Sequence, residues 1–411
     1  MSDADQDVPV IKVAGGVYQE CCTRPASREI YGSAGRAASA IASMGGHVEL
    51  HAYLDINAQE VMTQRSSFEA FSVNTTAVED CINFDYYHGL STPRISNHSQ
   101  RYDPLSVDGG HIVRFGMLEG TACVHGDKVV YDPQNATCPE AFAANGSTAN
   151  QLALVLNLHE AELLTGMINE PVERVANTLI GQDLAEVVVI KMGPLGALVH
   201  DGASRDWIPA FRSNSVWKIG SGDNFVAHFA FRWMHEGHSA KDSAILASKA
   251  TAYYCESRGF ATPDILSAYN PAQVSVSTRF KNGRQPCVYL AGPFFTLSEL
   301  WMIEQAKRDL ASMGLNVFSP YHDIGYGAAS DVVPEDLAGI DKCDLMFAIG
   351  DGMDPGTVFE TGYACAQGKP VIVYCENESD ERKKMMEGSH CTLRDDYVTA
   401  IYETLWAACA L

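Results

Sequence analysis

Glu335 to Ala364 reads EDLAGIDKCDLMFAIGDGMDPGTVFETGYA, and this stretch decides how the C-terminal third of the chain folds. An acidic helical end carrying Asp336 and Asp341 runs into a short apolar strand, Asp344 to Ile349. The strand gives way to a Gly-rich acidic turn holding Asp351, Gly352, Asp354 and Gly356. A helix over Thr357 to Gln367 then follows, with Glu360 expected in its first turn. Val371 to Tyr374 (VIVY) closes the pattern as a second apolar strand. Strand, helix and strand in this order predict a parallel α/β unit, in which ligands bind at the carboxyl ends of the strands. Asp354 and Glu360 fall at such an end, where helix N-terminal potential would keep a carboxylate ionised. Converging carboxylates are what glycosidic bond cleavage requires: one attacks or stabilises an oxocarbenium-like carbon while another moves a proton.

Working outward, Tyr289 to Phe295 (YLAGPFF) is a strand leading into a small-residue turn, a natural cleft wall. Leu297 to Met313 is an amphipathic helix stopped by Gly314. His322, in SPYHDIG, follows a strand-like segment and reads as a structural histidine or a substrate contact. Upstream, Tyr269 to Pro286 is polar, with Pro271, Pro286 and an Asn282-Gly283 turn pair, which places a linker at 271–286 between domains spanning 1–270 and 287–411. The N-terminal part also alternates: Val187 to Lys191 is a buried strand ending at a Gly turn, and Phe225–His235 and Ala240–Glu256 read as helices.

Composition narrows the function. The 411 residues contain 29 Lys and Arg against 51 Asp and Glu, a formal net charge of −22. From Cys287 onward there are 20 acids and 8 bases, net −12, which leaves −10 for the first 286 residues. Such a surface repels nucleic-acid backbones and anionic lipid, so neither a nucleic acid polymer nor a membrane is an expected partner. No apolar run reaches membrane-spanning length, and Met1 to Asp7 is acidic and polar, unlike a signal peptide. Twelve cysteines without a C-x-x-C pair read as reduced, mostly buried thiols of a cytoplasmic enzyme. No histidine spacing suggests a metal site.

The C-terminal motifs resemble the nucleoside 2-deoxyribosyltransferases over essentially all of residues 287–411. YLAGPFF, DLAGID and the run from Asp354 through Val371 (DPGTVFETGYACAQGKPV) appear in that family's order and spacing. The resemblance implies a flavodoxin-like, Rossmann-type parallel-sheet domain that exchanges the base of a deoxyribonucleoside through a covalent glycosyl-enzyme. By position, Glu360 would be the nucleophile, Asp354 and Asp336 the acids serving the base and its proton, and Tyr289 the group orienting nucleophile and sugar. Gly292, Phe294, Gly356 and His322 would line the substrate site. A related branch holds a 5′-phosphate in the loop after its first strand. Here Ala291 to Leu297 is apolar and lacks a cation, which favours a nucleoside over a nucleotide. No cofactor is implied for this part.

A second resemblance covers roughly residues 8–265. Gly32 to Met44 (GSAGRAASAIASM), Asn157-Leu-His-Glu160, Val187 to Gly196 (VVVIKMGPLG) and Trp217 to Phe229 (WKIGSGDNFVAHF) are similar, in order, to motifs of PfkB, ribokinase-like sugar kinases. That family implies a ribokinase-like α/β sandwich using Mg-ATP. Asp223 would be the catalytic base and Gly220, Ser221 and Gly222 the anion hole. Asn157 and Glu160 would serve phosphate and magnesium, and Gly193 and Gly196 the nucleotide-side turn. Trp217-Lys218-Ile219 replaces the usual Asp-Thr, Glu20 stands at the early sugar-binding Asp, and Ala37 or Ala38 replaces a sugar-binding Asn. The whole reads as a two-domain enzyme of nucleoside salvage or catabolism, taking nucleosides and nucleobases and expected to form a homo-oligomer. The main expectation is N-glycosidic cleavage with transfer to another base or to water. A nucleoside or sugar kinase, and a nucleotide-sensing N-terminal domain controlling the glycosidase, are the alternatives.

Overall fold

The computed structural model describes residues 9–182 and 185–411. The acidic start at 1–7 lies outside the described residues. The chain divides into two compact units, one of residues 1–213 and 217–273, the other of 214–216 and 274–411. The short loan at 214–216 is fixed by the Val216 amide, which donates to Thr399 Oγ1 at 2.9 Å. Nothing in the composition of those three residues announces it. The stretch expected to be a linker holds a one-turn helix, Thr278–Lys281, capped by Ser277.

The first unit is built on a nine-stranded sheet. Its parallel part runs from Phe71–Ala77 through Val48–Leu54, Ile11–Ala14, Leu105–Phe115, Ala122–Asp132 and Thr148–Asn157 to Val187–Lys191. Ala197–His200 and Arg205–Ile208 extend it antiparallel. Because the strands run parallel, their carboxyl ends lie along one edge, and this edge gathers Asp132, Asn157 and Lys191. A separate four-stranded sheet carries Gln19–Cys22 between Ser27–Ile30 and Asn83–Tyr86, with Arg94–Ser96 outside. Gly32–Ser43 is a helix of small residues with ten of its twelve buried, so it can pack closely on its neighbours. The expected helix at Phe225–His235 begins earlier, at Ser221, and its last turn, Phe231–His235, widens to a π-helix. Together these elements form a ribokinase-like α/β fold.

The second unit has one five-stranded, all-parallel sheet. Its order is Asn316–Phe318, Cys287–Ala291, Leu345–Ile349, Val371–Tyr374, Thr392–Arg394. Numbered along this unit, that is 2-1-3-4-5, the flavodoxin-like order, with a topological switch point between its first and third strands. The core joins Tyr289, Ile340, Met346, Ala348, Ala364, Val371 and Val373 from the sheet and its covering helices.

Local signals explain the helix ends. Thr296 and Glu299 form a capping box before Leu297–Ser312, and Gly314 leaves that helix at φ +82°. The Glu360 helix starts at Pro355, with Asp354 as its N-cap, and ends at Ala366. Proline suits a first helical position because it has no N–H to leave unpaired. Glu360 therefore sits in the second turn, not the first as expected. Of the cysteines, only Cys22, Cys343, Cys375 and Cys409 are buried; most are half-buried, so the expectation of mostly buried thiols is corrected. No helix among the described residues is long and apolar enough to cross a membrane.

Candidate active sites in the two units

In the second unit, Tyr289 on the first strand and Glu360 on the helix after the third meet at the switch point. Tyr289 is fully buried, stacks on Phe318 at 5.6 Å, and its hydroxyl donates to Glu360 Oε1 at 2.8 Å. Burial raises the Glu360 carboxyl to about 7; the Tyr289 hydrogen bond opposes this, and the charges of Asp336 and Asp354 add to it. The helix dipole thus does not hold Glu360 in the ordinary range. Asp354 caps that helix instead: its Oδ2 accepts from the Thr357 amide at 2.9 Å and hydroxyl at 3.1 Å. Asp336 lies on the helix Ala329–Lys342 that leads into the third strand. Burial, then its neighbour Glu335, pushes its carboxyl up, and its Oδ1 is buried without a hydrogen-bond partner. Three carboxyls therefore share one partly dry site, and two of them are held toward the protonated form.

The other expected residues of this unit divide. Gly292 faces Ile303 and Ile349, and a Cβ there would come within 2.9 Å of Ile303. Gly356 stands beside the Asp354 carboxylate, 3.0 Å from where its Cβ would lie. Phe294 packs in an aromatic cluster with Phe295, Tyr321 and Tyr326. His322 has both ring nitrogens engaged, by Ser319 Oγ and by Glu304 Oε1, each at 3.0 Å. It serves as a structural tie rather than a free substrate contact.

In the first unit, Asp223 is the third residue of the helix Ser221–Ala230, and Gly220 caps that helix at φ +77°. Asp223 Oδ2 pairs with Arg36 Nη1 at 2.8 Å, and its Oδ1 accepts from Gln134 Nε2 at 2.6 Å. Arg36, 1% exposed, also holds Glu20 and donates to the Tyr254 hydroxyl at 3.0 Å. Burial raises Glu20 and the Arg36 guanidinium opposes this. Two cations flank the helix N-terminus: Lys218 Nζ donates to Ser221 Oγ at 3.0 Å, and Lys191 Nζ lies 3.8 Å from the Cβ position of Gly222. Lys191 also pairs with Asp132 at 2.6 Å, while burial raises Asp132 to about 7. Asn157 and Glu160 turn toward each other as a capping box, Asn157 Oδ1 accepting the Glu160 amide at 2.9 Å and Glu160 Oε2 the Asn157 amide at 3.0 Å. Gly193 opens the turn before Gly196, where φ is +88° and a Cβ would strike Ile208 O at 1.9 Å.

Arg36, Gln134, Asp132 and Lys191 were not singled out from the sequence. Arg36 left a signal: one charged residue inside a helix of Gly, Ala and Ser must be paired if that helix is buried. Asp132 left another, an acid ending the apolar run Val129–Tyr131.

Residues 288–392 match the family model described as nucleoside 2-deoxyribosyltransferase, and residues 121–266 match that of the pfkB family carbohydrate kinases. The chain carries a ribokinase-like domain and a deoxyribosyltransferase-like domain. Among solved structures, a ribokinase from Thermotoga maritima is 16% identical, covering 64% of this chain and 99% of its own, with a TM-score of 0.48. A nucleoside kinase from Methanocaldococcus jannaschii is 12% identical over 64% of this chain and 97% of its own, TM-score 0.49. A fructokinase from Vibrio cholerae O395, solved with fructose, ADP and calcium ion, is 14% identical over 64% and 99%, TM-score 0.47. Comparison with curated protein sequences finds no match.

Proposed function

We propose that the deoxyribosyltransferase-like domain cleaves the N-glycosidic bond of a (deoxy)nucleoside through a covalent glycosyl-enzyme on Glu360. The observation that carries this reading is the Tyr289–Glu360 hydrogen bond at the switch point, with Asp336 and Asp354 close enough to act on Glu360's charge. The ionised Glu360 attacks the anomeric carbon, the C–N bond breaks, and its electron pair leaves with the base. A proton from Asp336, held toward its protonated form, neutralises the departing base. A second base or water then attacks the same carbon and frees Glu360. Tyr289 orients the attacking oxygen, and Asp354 fixes the start of its helix. Self-association belongs to this proposal: Phe295 and Leu297, beside the turn after the first strand, are 69% and 84% exposed, and light scattering on the purified chain reads the assembly directly.

Glu360→Ala is expected to lower base release from nucleosides at least 1000-fold while the melting curve stays cooperative. Acid-quenched protein should carry a glycosyl adduct on the peptide containing Glu360. Undiminished release, or an adduct on another residue, overturns the assignment.

A second reading concerns the ribokinase-like domain, and the cavity that reaches Asp223 at a helix N-terminus favours it. Here Asp223 would take a hydroxyl proton while the amides of Gly220 to Gly222, with Lys218 and Lys191, stabilise a transferring phosphoryl group. The residues present fit a hydrated Mg²⁺: Asp132 Oδ1 is buried without a partner, and Glu160 lies near enough to act on its charge. Bound there, the ion would draw charge from the phosphates of ATP. Asp223→Asn should stop ADP formation and leave base release unchanged.

A further inference from the structure

From residue 287 onward the chain has six cysteines, and four of them stand in two pairs. Cys287 Sγ lies 3.2 Å from Cys343 Sγ, and Cys365 Sγ lies 3.3 Å from Cys391 Sγ. All four are free thiols. As a small apolar filler a cysteine packs well alone. Filling space does not by itself bring sulfur against sulfur, and here that happens twice in one domain.

The Cys287–Cys343 pair sits at a junction of the five-stranded sheet. Cys287 opens the strand Cys287–Ala291, and Cys343 follows the helix Ala329–Lys342 as its C-cap. Asp344 ties the two segments together: its Oδ2 accepts from the Cys287 amide, and its own amide donates to the Cys287 carbonyl, each at 2.8 Å. Val288 is in register with Leu345, so Cys343 is one step from the position opposite Cys287. A disulfide bond is about 2.05 Å long, so the sulfurs have roughly 1 Å left to close. The two backbones are already held as neighbours.

Access and acidity differ across this pair. Cys287 is half-buried, whereas Cys343 is 3% exposed. The Cys343 S–H donates to Cys287 and holds the Cys287 thiol below its ordinary value; partial burial and the Asp344 charge oppose this, and the Phe318 amide helps it. Cys343 is pushed up by the same hydrogen bond and then by burial. Cys287 is therefore the sulfur that attacks, and Cys343 the one that resolves. In the other pair, burial and then Cys365 push Cys391 up to about 12, which leaves it a poor thiolate.

We propose that Cys287 and Cys343 form a reversible disulfide when the protein meets hydrogen peroxide, and that this bond turns down the Glu360 site. The Cys287 thiolate attacks one peroxide oxygen, the O–O bond breaks, and the departing hydroxide takes up the proton that Cys287 had released. The Cys343 sulfur then attacks the sulfenic acid on Cys287; its proton leaves with that oxygen as a second water. The two thiols lose two electrons and two hydrogens, and the peroxide gains them. A thiol reductant reverses the bond by exchange. The link to Glu360 runs through the strand. Residues two apart share a face, so Cys287 stands on the face of Tyr289, in the core that also holds Cys343. The Phe318 ring stacks on Tyr289 while its amide serves Cys287. Drawing the sulfurs together shifts the strand that aims the Tyr289 hydroxyl at Glu360, and an offset of about 1 Å at a positioning group costs up to about 100-fold in rate. This consequence, unlike the bond itself, rests on the Glu360 reading.

Peptide mapping of the intact chain tests it. The protein is fully reduced, treated with hydrogen peroxide, blocked at its remaining thiols and digested without reductant. A peptide pair joining Cys287 to Cys343, lighter by two hydrogens than its reduced parts, should form at least about 5-fold faster than any Cys365–Cys391 link, and dithiothreitol should release it. Base release should fall by at least about 5-fold as the link forms and return on reduction. Cys287→Ser, with its melting curve unchanged, should keep its base release under the same peroxide. Links confined to other cysteines, or a sulfenic acid on Cys287 that never joins Cys343, overturn the proposal. A complete link with base release undiminished overturns its control of the Glu360 site. A reduced chain that releases no base overturns the Glu360 reading and the control with it, whereas the mapped bond is decided by mass alone.

Discussion

Glu360 is a carboxyl that titrates near neutrality because folding removes it from water and sets two acids beside it. In the nucleophilic role proposed for it, Glu360 must be ionised, so base release should rise with pH through about 7 with a single-proton slope. Tyr289 lowers this value by donating to the carboxylate, and Tyr289→Phe should move the midpoint of the pH–rate profile upward by about one pH unit. Stability carries the opposite sign. The folded carboxyl lies above its ordinary value of 4.5, so the folded chain holds a proton that the unfolded chain has lost between pH 4.5 and about 7. Its favourable contribution is present at low pH and disappears as pH rises through that window. Glu360→Gln should therefore be more stable than the parent at pH 8, by about 1–3 kcal/mol, and no more stable near pH 4. Thermal melts across that range check it.

At the scale of the element, two helix N-termini organise the two sites, and each can be perturbed on its own. Asp354 caps the Glu360 helix and also raises Glu360's pKa. Asp354→Ala should cost about 1 kcal/mol of stability and shift the pH–rate midpoint down, opposite to Tyr289→Phe. In the other domain, Gly220 sits at φ +77°, and a Cβ would meet Arg36 Nε at 2.1 Å. Gly220→Ala is expected to destabilise that domain by about 2–4 kcal/mol, read as a lowered urea midpoint. Elements were well foreshadowed by the sequence. Val187–Lys191 and Val371–Tyr374 stand where the apolar runs placed them, because a buried parallel strand has to be apolar on both faces. The start of the Glu360 helix was misplaced because Asp354-Pro355-Gly356 reads as a turn, whereas proline and an aspartate cap begin the helix there.

For the whole molecule, the net charge of −22 bears on partners more than on fold. Fluorescence anisotropy with single- and double-stranded DNA should show no binding even in low salt, where electrostatic attraction is strongest. The sequence by itself pointed to two α/β domains, to single elements such as Val187–Lys191 and Val371–Tyr374, and to Asp336, Asp354 and Glu360 as candidate carboxylates, since hydrophobic period and turn residues are local properties. Only the tertiary structure decided which of those carboxyls share a dry site, that Arg36 ties Glu20 to Asp223, that residues 214–216 belong to the second unit, and that His322 is already satisfied. The decisive meetings among these are distant in sequence, as Tyr289 meets Glu360 at a separation of 71, Val216 meets Thr399 at 183 and Arg36 meets Asp223 at 187. Burial and charge at such a meeting point are set by the packed neighbours, and a linear pattern does not contain them.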